Sequence, residues 1–181
     1  MEQAKGQITT MEEREETFYQ ILQKSWRSSV LILTFLELGD CPTGQIFNLH
    51  IPAGIPFRGL VDMVMKMDRI YDLLDYPQAE FETRSWEEGK EKSWEGTLLE
   101  DNTSWIFGEE AMEQFRKLDF IGKNVMYAET RFRRNASWQG ILRLGGRRVT
   151  YRSTLEFLHC VVDYLRMVQE GDWSARPRTK K

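Results

Sequence analysis

"ETRFRRNASWQGILRLGGRRVTYRSTLEFLHCVVDYL", Glu129 to Leu165, is the stretch whose reading decides the fold. Just before and within it, Met126, Ala128, Thr130 and Phe132 alternate with Glu129, Arg131 and Arg133, the period-two pattern of a half-buried strand. Arg134 to Ser137 reads as a polar turn, and Trp138 to Leu144 as the return strand. Gly145-Gly146 supplies the positive φ values that a two-residue hairpin turn requires. A short strand, Val149 to Tyr151, follows. Ser153-Thr154-Leu155-Glu156 is a capping box, in which serine and glutamate satisfy amides orphaned at a helix start. Leu155, Leu158, Val162 and Leu165 then mark one helical face, with Phe157, Val161 and Val168 beside it. The order is β-β-β-α.

This unit has echoes. "ETRFRRNASWQGILRL" is matched by "ETRSWEEGKEKSWEGTLL" (Glu82–Leu99), in which an E-T-R strand and a polar turn lead to S-W-(Q/E)-G opening the next strand. "VTYRSTLEFLHCVVDYL" is matched by "IPFRGLVDMVMKMDRIYDLL" (Ile55–Leu74), in which an aromatic-Arg-small triplet enters an amphipathic helix with an acid near its start. A recurrence of this kind implies supersecondary units that cannot bury their apolar faces alone. The reading places an N-terminal helix in 1–28, opened by the capping box at Thr10, and a first ββα unit in 29–76. A second, βββα, unit occupies 77–120, a third 121–170, and a disordered basic tail 171–181. Arg58 and Arg152 hold the same place in two units and are read as structural. The expected fold class is α+β: three repeated units, an antiparallel meander sheet or sheets, and helices packed on one face.

With 41% hydrophobic and 12% aromatic residues in 181, the chain can bury a sizeable core and is not expected to be disordered. No apolar run approaches the roughly 20 residues of a membrane helix, and the longest, "VLILTFLEL", reads as a strand. The polar, acidic beginning has no stretch suited to a signal peptide. Cys41 and Cys160 are isolated, which fits reduced thiols in the cytoplasm and an unglycosylated Asn135-Ala136-Ser137 sequon. Charge is uneven: residues 1–122 carry 12 basic and 23 acidic side chains, residues 123–181 carry 13 and 5. That asymmetry either marks an anionic partner for the basic end or draws the two halves together, within the fold or in a homodimer.

Catalytic signatures are missing. His50 and His159 lack further ligands at metal-binding spacing. "NASWQG" is no nucleophile elbow, and Ser137 is assigned to a side-chain-to-backbone hydrogen bond in its turn. There is neither a dinucleotide fingerprint nor a P-loop. The acidic runs Glu12–Glu16 and Glu87–Lys92 read as solvated surface. We therefore expect no enzyme, cofactor or metal.

The arginines remain. Seven lie between Arg131 and Ser153. Arg131, Arg133 and Arg143 are expected on the outward face of adjacent strands, with Arg147 and Arg148 just past the turn and Trp138 among them. These six residues form the candidate binding surface. Guanidinium groups beside an aromatic ring suit either a protein partner or a phosphate-bearing ligand, nucleic acid or nucleotide. The plainer alternative is that cross-strand acids such as Glu129, Glu82 and Glu95 neutralise them.

"NASWQG" resembles the N-x-S-x-x-G part of the motif of PilZ domains, which bind cyclic di-GMP. The family's R-x-x-x-R element should precede it, whereas here Arg131, Arg133 and Arg134 are differently spaced and Arg148 and Arg152 come after. PilZ domains are also β-barrels, unlike a unit that ends in a helix. The longer pattern "FRRNASWQGILRL" followed by "YRSTLEFL" resembles a family of uncharacterised bacterial proteins with F-R-Q-N-A-S-W-Q-G and F-R-S-x-L-E-L. This chain departs from it at Arg134 and Tyr151. That resemblance covers about the last third of the chain and implies an intracellular bacterial protein without assigning a site. The reading that emerges is a non-enzymatic cytoplasmic binding or adaptor protein, with a phosphate-bearing ligand as the alternative.

Overall fold

A computed structural model of the chain describes residues 29–79, 110, 111, 113, 114, 117, 118, 124–133, 137–144 and 147–171. The expected N-terminal helix, nearly all of the middle unit and the basic tail lie outside these residues. The described elements are β1 (Val30–Glu37), β2 (Thr43–Asn48), β3 (Ile51–Arg58), α1 (Leu60–Leu73), β4 (Asn124–Phe132), β5 (Gln139–Leu144), β6 (Arg147–Tyr151) and α2 (Thr154–Gln169). They make an α+β fold. One six-stranded sheet runs in the order β3-β2-β1-β4-β5-β6, antiparallel throughout.

β1 reads as a continuous apolar run because it lies at the centre of the sheet and is covered on both faces. Leu31, Leu33 and Phe35 join the large core under the helices, and Ile32 joins Phe47 in a smaller cluster on the opposite face. Leu118, Val125 and Tyr127 pack against that second cluster. β3 was not expected as a separate strand, since "IPAGIPFR" carries two prolines and a glycine. It forms at the sheet edge, where a missing N–H leaves no inner ladder bond unmade.

The two halves of the sheet have the same layout. In each, three strands step outward from the centre and a helix follows. The buried positions of α1 are Met63, Met67, Ile70 and Tyr71, and those of α2, in the same order and spacing, are Phe157, Val161, Tyr164 and Leu165. Gly44 pairs with Phe57 across β2–β3, and Gly140 pairs with Tyr151 across β5–β6. A Cβ on Gly44 would fall on the Thr34 carbonyl oxygen and 2.6 Å from the Phe57 ring. One on Gly140 would fall on the Glu129 carbonyl oxygen and 2.5 Å from Tyr151 Oη. Only glycine lets these aromatic rings lie flat over the backbone.

Both helices open on a stripped-down cap. Gly59, at φ 81°, caps α1 without a side chain, while Ser153 Oγ accepts from Glu156 N at 3.0 Å. An acid in each first turn reaches back to the residue before the cap. Asp62 accepts from Arg58 N at 2.8 Å and Glu156 from Arg152 N at 2.7 Å. Each helix then crosses toward the other half's first strand. Tyr164 of α2 packs on Phe35 at the end of β1, and Tyr71 of α1 meets Thr130 at the end of β4.

Candidate functional site

The register of β4 shifts between Thr130 and Phe132 in its pairing with β5, a bulge matched in β1 between Phe35 and Glu37. A bulge inserts one residue and reverses the alternation beyond it. Met126, Ala128 and Thr130 are therefore buried as their period predicts. After the bulge, Phe132 turns out to 51% exposure and Arg133 turns in to 5%. The expectation that Arg133 stands on the outward face is corrected by this reversal.

Arg133 is the centre of a buried lock between β4 and α1. Its Nη2 donates to Asp68 Oδ1 at 2.7 Å and to Asp72 Oδ1 at 2.6 Å, and its Nη1 donates to the Pro77 carbonyl at 3.3 Å. The guanidinium carbon lies 5.7 Å from the centre of the Tyr71 ring. Beside it, Thr130 Oγ1 donates to Tyr71 Oη at 2.7 Å and lies 2.7 Å from Tyr151 Oη. A threonine hydroxyl has one proton, so Tyr151 must be the donor in the second bond. Burial pushes both tyrosines above their ordinary pKa, and at Tyr71 the hydrogen bond from Thr130 offsets only part of it.

Trp138 is also corrected. It is 6% exposed, packed edge-on to Tyr71 of α1 at 5.6 Å and to Phe157 of α2 at 6.0 Å. The indole joins the two helices and offers nothing to a partner. Ser137 Oγ donates to the Arg152 carbonyl at 2.9 Å, fastening the strand entry to the helix cap of its own unit. This is a side-chain-to-backbone bond, but it reaches a distant segment rather than its own turn.

Arg131, Arg143 and Arg148 are placed outward, on the face opposite the helices. Arg131 follows Glu129 on β4, Arg143 lies opposite Tyr127, and Arg148 lies opposite Arg143. Arg147 closes the hairpin against Leu144, is half-buried, and belongs by alternation to the helix face. Glu129 is the one carboxylate paired with this outward group among the described residues. Its Oε1 takes Arg131 Nε at 2.7 Å and its Oε2 faces Arg143 Nη2 at 3.7 Å. Arg143 Nε is closed off from solvent without an acceptor. Arg148 is exposed and has no carboxylate partner among the described residues. Among the described residues, this face thus carries three guanidinium groups and one carboxylate, which pairs with two of them. A shallow hollow of about 190 Å³ lies beside them, lined by Arg131, Phe132, Gln139, Ile141, Arg148 and Thr150.

Asp68 and Asp72 were not singled out from the sequence, although two acids four apart in "KMDRIYD", flanking the buried Ile70 and Tyr71, are the available signal. His159 is exposed beside Cys160, whose thiol is pushed up by burial and by the carboxylates of Glu156 and Asp163, an environment that disfavours a nucleophilic thiolate. Among the described residues no three His, Cys, Asp or Glu side chains gather as a metal site. None of their helices is long and apolar enough to cross a membrane. No protein-family model, curated protein or solved structure matches the chain.

Proposed function

We propose that the chain is a non-enzymatic, intracellular binding or adaptor protein that takes an acidic protein partner on the outward sheet face of its third unit. The observation that carries this reading is the convergence of Arg131, Arg143 and Arg148 on one face, where Glu129 pairs with the first two and Arg148 has no carboxylate among the described residues. Exposed pairs of this kind contribute only about 0–1 kcal/mol, so exchanging Glu129 for a partner's carboxylates costs little. The same proposal includes the architecture. The matched helix cores, bulges and glycine–aromatic pairs support two copies of one βββα unit, and the sequence echo alone extends the proposal to a third copy in 77–120.

The second reading, a phosphate-bearing ligand on the same arginines, is favoured by the hollow lined by Arg131 and Arg148. At about 190 Å³ it falls below the ~300–1,000 Å³ of ordinary small-molecule sites, and of the two described rings that line it Phe132 is exposed while Tyr151 is buried. The protein partner is therefore preferred.

Fluorescence anisotropy decides between them, with a labelled Asp/Glu-rich peptide, a short single-stranded RNA and a cyclic dinucleotide at low and moderate salt. An Arg131→Glu/Arg143→Glu/Arg148→Glu variant of verified fold serves as the control. Peptide binding lost in the variant supports the proposal. Steeply salt-dependent RNA or dinucleotide binding lost in the variant assigns the face to phosphate instead. Peptide binding unchanged by the three reversals rules the face out.

A further inference from the structure

Among the described residues, the arginine face ends at a backbone edge with no strand beyond it. β6 is the outermost strand of its half, and Arg148, Val149 and Thr150 are all exposed. Leu144 pairs with Arg147 to close the β5–β6 hairpin. In a two-residue hairpin the closing pair exchanges hydrogen bonds, and bonded and non-bonded pairs then alternate along the ladder. Leu142–Val149 is thus the next bonded pair, and the N–H and C=O groups of Arg148 and Thr150 turn away from β5. They have no partner among the described residues. The opposite edge differs. β3 has Pro52 and Pro56, which remove two donors and blunt it against pairing. Among the described residues, one edge of this sheet is blunted by its prolines and no segment pairs with the other.

We propose that β6 receives an extended, acidic segment of a partner protein as a seventh strand. The inference rests on the arginine-face reading above and specifies how the partner is held. On an added strand, a residue opposite Arg148 stands on the face of Arg148, with Arg143 one strand behind, and a carboxylate there meets two cations. A residue opposite Val149 stands on the helix face and covers a side chain now 38% exposed. The pattern selected is acidic–apolar alternation, with backbone hydrogen bonds supplying the grip. A second copy of this chain is disfavoured by the same charges. Two β6 strands side by side would bring Arg148 of both copies onto one face, each backed by its own Arg143.

The test uses the full chain and a labelled, end-capped peptide of sequence Thr-Val-Glu-Val-Glu-Val-Thr. Two further versions are N-methylated, each on one alternate set of amides. Alternate amides face the same neighbour, so strand addition predicts that methylating one set weakens binding at least about tenfold while the other set has little effect. Thr150→Pro, which removes an outward N–H, should weaken binding comparably in a variant of verified fold, and Arg148→Glu should do the same. Equal binding of all three peptides overturns strand addition and leaves the arginine face standing. If no version binds and the Asp/Glu-rich peptide also fails, the face itself is wrong. A concentration-dependent dimer in sedimentation, abolished by Thr150→Pro, makes the edge a self-interface and overturns the acidic partner.

Discussion

Two arginines separated by a single residue have opposite fates. Arg131 stays in solvent with Glu129, whereas Arg133 is sealed between two aspartates and the Pro77 carbonyl. The energetics differ accordingly. An exposed pair contributes little, but removing one partner of a buried pair leaves uncompensated charge. Arg133→Met should therefore cost about 3 kcal/mol in urea unfolding, because Asp68 and Asp72 both lose the hydrogen bonds they accept from the buried guanidinium. Adding Asp68→Asn and Asp72→Asn should restore part of that loss, since two carboxylates no longer face the emptied site. A single substitution costing under about 0.5 kcal/mol would show that the lock contributes nothing to stability.

At the scale of the element, the glycines under the aromatic rings are the most demanding positions. Gly140→Ala forces a Cβ into backbone and ring at once and should destabilise by about 1–3 kcal/mol, read from the urea midpoint. A loss within about 0.5 kcal/mol would mean that the ring moves aside freely. Much at this scale was legible in the sequence. β4 and both helices follow from periodicity, β1 from its apolar run, β5 from the turns that bound it, and the α2 start from Ser153 and Glu156. Three features escaped for identifiable physical reasons. β3 was hidden because its prolines are tolerated only at an edge, and edge position is a property of the whole sheet. Arg133 was misplaced because a bulge is invisible to an alternation count, which assigns every later residue to the wrong face. Trp138 was misplaced because its burial depends on two helices, Tyr71 and Phe157, that meet only in three dimensions. The outward directions of Arg131 and Arg143 were legible, since both lie where the strict period still holds.

Across the whole molecule, the β1–β4 pair joins two like halves into one sheet, and each helix is anchored on the other half's first strand. Tyr71, Tyr151 and Tyr164 are held neutral inside this arrangement, all with pKa values raised first by burial. A raised folded-state pKa leaves stability intact below the unfolded value of about 10 and erodes it as pH climbs toward the folded value. These three should thus leave the unfolding free energy unchanged below about pH 10 and lower it above by up to ~1.4 kcal/mol per pH unit each. Phenolate absorbance should rise for these three only as the fold is lost. Early ionisation of all six tyrosines in the folded protein would contradict the buried network. The division of the arginines into a buried lock and an outward face is the central claim, and NMR of the arginine Nε–Hε groups tests it most directly. Titrating an Asp/Glu-rich peptide into labelled protein should shift Arg131, Arg143 and Arg148 and reverse on adding salt, while Arg133 stays fixed and slow to exchange. Arg131, Arg143 and Arg148 unmoved at saturating peptide, or Arg133 moving with them, would contradict the account.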